Sequence, residues 1–476
     1  MKNTYFDLID QSYYFPQEGF DIKNGYLTFH GISVHHLIEK HGTPFRLMYL
    51  PRIEQQIKRV KNLFNRAIKK HSYKGQYNYC YCTKCNHFAP VVKTALKQGV
   101  HIETSSSYDV DLILQLLEEG DLDTSIKLVH NGYKTDNYLD KIIRLHELGF
   151  TESITVLDSM TELGRVKQRI KRINYKGKVK IGLRMAINEE PQSAYYTSRL
   201  GIRSDKMLSY YEADIKNDPS FELVMLHFFV DSGIKDTLYF WGEFQKGLEL
   251  YAELKKKSPG LNSINFGGGF PIRNNLGFQY DYEYMIDQIV ENLKNMCSEE
   301  EIDHPDIYTE FGKYTVGESG AIIFSVLEQK QQNDSELWYM VDNSLMNTIP
   351  DAWSIFEKFI LLPVNKWDKE YTQVNIGGIS CDHSDYYNSE DMNQQVFLPT
   401  FDPKKEKEPL YLGFFHTGAY QDSISGYGGI KHCLIPSPKY ILIDQDEKGN
   451  HVDTVFNEEQ EVGQMLRILG YKASVL

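Results

Sequence analysis

Between residues 76 and 310 the spacing of apolar positions switches repeatedly between two periods. Short runs rich in aromatic and β-branched residues come first: QYNYCYCT (76–83), VHIET (100–104), IKLVH (126–130) and SITVLD (153–158). KVKIGLRM (178–185), ELVMLHFF (222–229), SINF (263–266) and DIYTE (306–310) bring the series to eight candidate strands. Between them lie stretches with apolar residues at helical spacing, among them HFAPVVKTALKQG, YDVDLILQLLEEG, SMTELGRVKQRIKRI and DYEYMIDQIVENLKNM. Strict alternation of strand and helix implies parallel pairing through crossover helices, and eight such units close a TIM-type barrel. An open doubly wound sheet is the alternative, but it has no reason to stop at eight.

After residue 320 the texture changes. IIFSVLEQKQ, LWYMVD, TQVNIGG, PLYLGFF and KYILIDQD are β-type runs between turn-rich loops. GYLTFH and PFRLMYL, ahead of the barrel, are of the same kind. The expected fold is α/β: a (β/α)8 barrel over residues 51–315, a mainly β C-terminal domain over 316–476, and an N-terminal segment, 1–50, packed on the β domain.

Length and charge narrow the function. A chain of 476 residues exceeds one ordinary core, and 41% hydrophobic with 25% charged residues is a folding composition. Lys and Arg number 52 against 65 Asp and Glu, a net charge of −13. Such a surface repels nucleic acid and anionic membranes and tolerates cationic ligands. No apolar run approaches the length of a bilayer span, and the first twenty residues lack a basic region followed by an apolar one. A cytoplasmic protein with reduced thiols is therefore expected.

In a barrel of this kind the active site forms at the C-terminal ends of the strands. The residues at or just past those ends are Lys84, Glu103 with Thr104, Asn131, Asp158, Arg184, Ser232, Gly267-Gly268-Gly269 and Glu310. Lys84 on its own reads as a surface lysine. It follows an aromatic strand, however, and shares a period-two face with Cys80 and Cys82, so partial desolvation should lower its pKa and make it a nucleophilic amine. The glycine triplet is either a tight turn or a loop whose backbone N–H groups bind phosphate. Glu310 is either a solvated acid or the partner of a protonated ring nitrogen. Together, an aldehyde captor, an anion cradle and a pyridinium partner describe a pyridoxal phosphate site. The cluster Cys80, Cys82, Cys85 and His87 suggests zinc, but no second Cys/His pair stands at finger-like spacing, and core packing explains the alternating cysteines better.

YCTKCN (81–86) resembles the Y-x-x-K-x-N signature of the fold-type III pyridoxal-phosphate decarboxylases, which include ornithine, diaminopimelate and biosynthetic arginine decarboxylases. NGYK (131–134), TSRLGI (197–202), NFGGGFP (265–271), TEFGKYTVGESG (309–320), IPDAW (349–353), SCD (380–382) and TGAYQ (417–421) fall in the order of that family's blocks. NGYK and PDAW are most similar to arginine decarboxylases. The resemblance implies an alanine racemase-like architecture and pyridoxal 5'-phosphate bound through Lys84. Gly268, Gly269, Gly312, Ser232 and Tyr420 would hold its phosphate and Glu310 its ring proton, with Arg184 and Phe229 also against the cofactor. Cys381 would return a proton to the substrate carbon after carbon dioxide leaves. Asp351 and Asp382 would face the substrate's distal cation, and no metal is implied. Family members are obligate homodimers, or larger assemblies, whose Cys-Asp pair serves the partner's site.

Three departures stand out. HFFVDS (227–232) replaces a block like H-F-H-x-G-S, so Phe229 stands at the stacking histidine's place and Asp231 replaces a glycine. Lys313 stands where an arginine commonly helps hold the phosphate, and the long insertions of bacterial biosynthetic arginine decarboxylases are missing. The leading expectation is decarboxylation of L-arginine to agmatine. Ornithine, lysine, diaminopimelate and carboxynorspermidine are the alternative substrates, and an amino-acid racemase or an inert regulator the alternative classes.

Overall fold

The computed structural model describes residues 15–188, 197–387 and 396–472, so residues 1–14 of the N-terminal segment lie outside the described residues. The chain divides into two compact units.

One unit comprises residues 54–271 and 280–315. Its strands are β1 (Tyr77–Cys82), β2 (His101–Thr104), β3 (Leu128–His130), β4 (Ser153–Leu157), β5 (Val179–Ala186), β6 (Phe221–His227), β7 (Ser263–Asn265) and β8 (Asp306–Glu310). Each pairs in parallel with the next, and β8 pairs with β1, with Glu310 opposite Cys80, which closes an eight-stranded barrel. Parallel strands covered on both faces must be apolar throughout, which is why the runs are so rich in Val, Ile and Tyr. Cys80, Val129, Ile154, Val156, Val224, Met225 and Tyr308 pack together as one buried cluster.

Four of the helices between the strands start on side-chain caps, so those chain reversals are written locally. Ser106 and Asp109 form a reciprocal capping box on Ser107–Glu118. Thr135, Thr237 and Asp281 cap Asp136–Glu147, Leu238–Lys257 and Tyr282–Glu299.

The other unit comprises residues 1–53, 272–279 and 316–476. Its long strand Gly320–Gln331 pairs antiparallel with Phe45–Tyr49, Tyr411–Phe415 and Leu337–Val341. Phe45–Tyr49 continues the sheet in parallel with Lys439–Gln445. Alternation divides the side chains between two cores. Ala321 and Ile323 join Leu47, Phe415 and Ile441 in one; Ile322 and Phe324 join Tyr339, Leu412 and Phe414 in the other. Among the described residues, no helix is long and apolar enough to cross a membrane.

Candidate active site

Lys84 reaches the end of the barrel differently from the expectation. β1 stops at Cys82, and Lys84 sits in a one-turn 3-10 segment, Thr83–Cys85, so the period-two face is broken before it. Cys80 and Cys82 are buried at 0% and 3% exposure, as strand positions, while the Lys84 side chain keeps 44% of its surface. Its Nζ lies 3.4 Å from the Glu103 carboxylate. Desolvation lowers its pKa, but Glu103 foremost, with Cys82 and Glu310, outweighs it and holds the ammonium above the ordinary lysine range. The expected lowering is thus reversed, because burial was counted without the carboxylates around it.

Those carboxylates form a network in the barrel. Glu103, fully buried in β2, accepts Ser105 Oγ at 2.9 Å and Asn131 Nδ2 at 3.1 Å. The same Asn131 amide donates to Glu310 Oε1 at 2.9 Å, and Asn265 Nδ2 donates to that oxygen at 2.7 Å. His227 Nε2 lies 3.2 Å from Oε1 as well. Burial alone would raise the Glu310 pKa; His227, Lys84 and the amide donors outweigh it and bring it down to about 2. Glu310 is therefore a buried anion whose three side-chain neighbours all address one oxygen.

The loops past β6, β7 and β8 close around glycines. Gly267 and Gly269 have φ of 69° and 112°. A Cβ on Gly268 would lie 2.5 Å from the Glu310 carbonyl oxygen, and one on Gly233 2.6 Å from that of Gly269. No other residue fits such backbone approaches. The amides of Gly268 and Gly269 have no acceptor among the described residues, and both glycines are half-buried. The following helix begins only at Tyr282, so an anion here meets the loop's own amides rather than a helix terminus. Ser232 is half-buried in the loop after β6. The Phe229 ring lies over the glycine loop, 2.8 Å from where a Gly267 Cβ would stand. A Cβ on Gly312 would overlap Cys85 Sγ, so Gly312 is set by packing against the turn that carries Lys84. Arg184 is in register with His227; burial lowers its pKa against the pull of Asp158 and Glu310.

The remaining expected residues belong to the second unit. Cys381 and Asp382 follow Ser380, whose N–H donates to Asp385 Oδ2 at 2.9 Å. Cys381 Sγ is 3.5 Å from Cys433 Sγ, and Asp382 Oδ2 is 3.4 Å from His432 Nε2. The Cys433 thiol beside it raises the pKa of Cys381. Asp351 is buried and accepts Gln421 Nε2 at 2.8 Å. Tyr420 has a left-handed backbone, φ 67°, immediately before the short helix Gln421–Ile424.

Residues 51–317 match the family model described as pyridoxal-dependent decarboxylase, pyridoxal binding domain. The chain belongs to this family. Its cofactor is pyridoxal phosphate, and the barrel suits it: an amine, an acceptor-only buried anion and unengaged loop amides lie at the ends of its strands. A biosynthetic arginine decarboxylase of Prochlorococcus marinus (strain MIT 9215) is 21% identical, over 91% of this chain and 84% of its own. The crystal structure of the biosynthetic arginine decarboxylase from Campylobacter jejuni superposes with a TM-score of 0.79 at 22% identity, covering 98% of this chain and 90% of that one. A diaminopimelate decarboxylase from M. jannaschi gives a TM-score of 0.75 at 18% identity, with 96% and 98% covered. The barrel with a mainly β second region is thus the architecture of these decarboxylases.

Sequence reasoning singled out no role for Asn265 and His227, and none for Glu103 and Asn131 beyond their positions at strand ends. Their common signal is a polar residue ending a strand otherwise apolar, which marks the barrel end but not which residues share a proton network.

Proposed function

We propose that this decarboxylase acts on a basic L-amino acid, arginine first, releasing carbon dioxide and agmatine in the cytoplasm as a step of polyamine synthesis. The observation that carries the decarboxylase chemistry is Glu310, kept anionic at the end of β8 by neighbours that all address Oε1. Pyridoxal phosphate supplies an aldehyde for an amine and a sink for the electron pair left when carbon dioxide departs. Lys84 offers the amine that anchors it. Glu310 holds a proton on its ring nitrogen, since an acceptor-only carboxylate stabilises the protonated form. Gly268, Gly269 and Gly312 backbone, with Ser232 and Tyr420, would hold its phosphate, and Phe229 and Arg184 would line the rest of its site.

Cys381 returns the proton to the α-carbon, and Asp382 with Asp351 faces the distal cation. Two carboxylates hold a guanidinium through bidentate bonds better than they hold a second carboxylate, which favours arginine over diaminopimelate. The names of the relatives support the same choice. The enzyme works as a homodimer whose Cys381-Asp382 loops serve the partner's site. Trp353, Ile355, Phe356, Ile379 and Leu434, exposed in the unit that carries this loop, supply apolar surface for that pairing.

Replacing Lys84 tests the anchor. Lys84→Ala should abolish the visible absorbance of the bound cofactor and all amine formation; a band that persists would remove Lys84 from this role.

A further inference from the structure

Cys433 is a thiol that decarboxylation does not call for, yet the fold presents it to Cys381. Of the six cysteines, Cys381 and Cys433 are exposed and the other four are buried. They lie 52 positions apart in the sequence, with their Sγ atoms 3.5 Å apart. Cys433 and Leu434 both have φ of 54°, a left-handed conformation that non-glycine residues rarely adopt. The surroundings hold this turn in place. Lys431 Nζ donates to Ser425 Oγ at 3.1 Å, and Asn347 Nδ2 donates to the His432 carbonyl at 3.0 Å, both just ahead of Cys433. Cys381 is anchored in the same way, by Ser380 N–H on Asp385 Oδ2 at 2.9 Å and Asp382 N–H on Ser380 Oγ at 3.3 Å. Two exposed thiols on anchored backbones, with their sulfurs already in contact, are placed for a disulfide.

We propose that Cys381 and Cys433 are a reversible disulfide site, closed by a peroxide, and that closure removes Cys381 from its work as proton donor. One thiolate attacks a peroxide oxygen; the O–O bond breaks, hydroxide leaves and a sulfenic acid forms. The second thiolate attacks that sulfur, the S–S bond forms and hydroxide leaves again. The two thiol protons end in two waters, so the cysteines lose two electrons and the peroxide gains them. A dithiol reductant reverses the bond. The loss of turnover rests on the role proposed for Cys381, whereas the bond itself does not.

The test treats the holoenzyme with hydrogen peroxide, alkylates the remaining free thiols, and maps digested peptides by mass before and after dithiothreitol. The expected result is a linked Cys381–Cys433 peptide, a fall in turnover of at least about a hundredfold, and recovery of both on reduction. Cys433→Ser should yield no linked peptide, and its turnover, measured against its own untreated sample, should no longer fall and recover with peroxide and dithiothreitol. Alkylation of both cysteines after peroxide, or oxidation of Cys381 to sulfinic acid with Cys433 left free, would overturn the disulfide site. A linked peptide with unchanged turnover would keep the bond and overturn Cys381 as proton donor.

Discussion

At the scale of single residues, the chemistry rests on which oxygen or sulfur is left free. Glu310 spends Oε1 on Asn131, Asn265 and the approach of His227, and its pKa of about 2 keeps it ionised throughout the neutral range. Asn131 ties it to Glu103, which in turn faces Lys84 at 3.4 Å, so the Lys84 amine and the Glu310 carboxylate share one electrostatic network. Cys381 has no such network: it is exposed, with Cys433 as its thiol neighbour. If Cys381 is the proton donor, Cys381→Ala should lower amine formation by about a hundredfold and divert turnovers to decarboxylation with transamination. The two products are separated by mass, and an unchanged yield of amine alone would end that assignment.

At the scale of elements, the loops matter more than the strands. Gly268 packs against the Glu310 carbonyl at a distance that leaves no room for a Cβ, and its amide stays unengaged. Gly268→Ala should therefore displace the loop and weaken cofactor binding by about 1–3 kcal/mol, with the circular dichroism of the barrel unchanged. Cofactor titration followed by fluorescence checks this; wild-type affinity would show that the loop amides do not hold the phosphate. The eight barrel strands were legible because each is an apolar run bounded by a cap or glycine. Lys84, Glu310 and the glycine loop were legible because they sit where those runs end. The turn that breaks the β1 alternation before Lys84 was not, since it depends on Gly312 packing against Cys85, a contact between segments far apart in sequence. Strands such as His451–Asn457 escaped for another reason: HVDTVFN has no fully buried position and no apolar run to mark it.

For the molecule as a whole, buried neutral histidines set the acid limit. Burial lowers His130 to about 3, where Thr104 Oγ1 and Ser153 Oγ hold its two ring nitrogens at 2.7 and 2.8 Å. His101 and His146 fall to about 4, and His30 to about 3, by the same cause. Each binds its proton more weakly folded than unfolded, so the unfolded chain gains protons first as pH falls below about 6.5. Stability should decline from there toward pH 3, with His130 alone accounting for about 2 kcal/mol near pH 5. Glu310 acts lower: its contribution is present above its unfolded pKa and is lost as pH falls through about 2. Denaturant midpoints across this range should show the decline, and His130→Gln should flatten it; a wild-type midpoint constant from pH 7 to 4 would contradict the account.

Identifying the products decides which reaction this enzyme performs. Purified protein supplied with pyridoxal phosphate is offered arginine, lysine, ornithine and diaminopimelate separately, and the products are weighed by mass spectrometry. Agmatine is expected from arginine, with carbon dioxide released in equal amount. No amine from any of the four substrates, while the cofactor's visible absorbance shows it bound, would contradict that reaction.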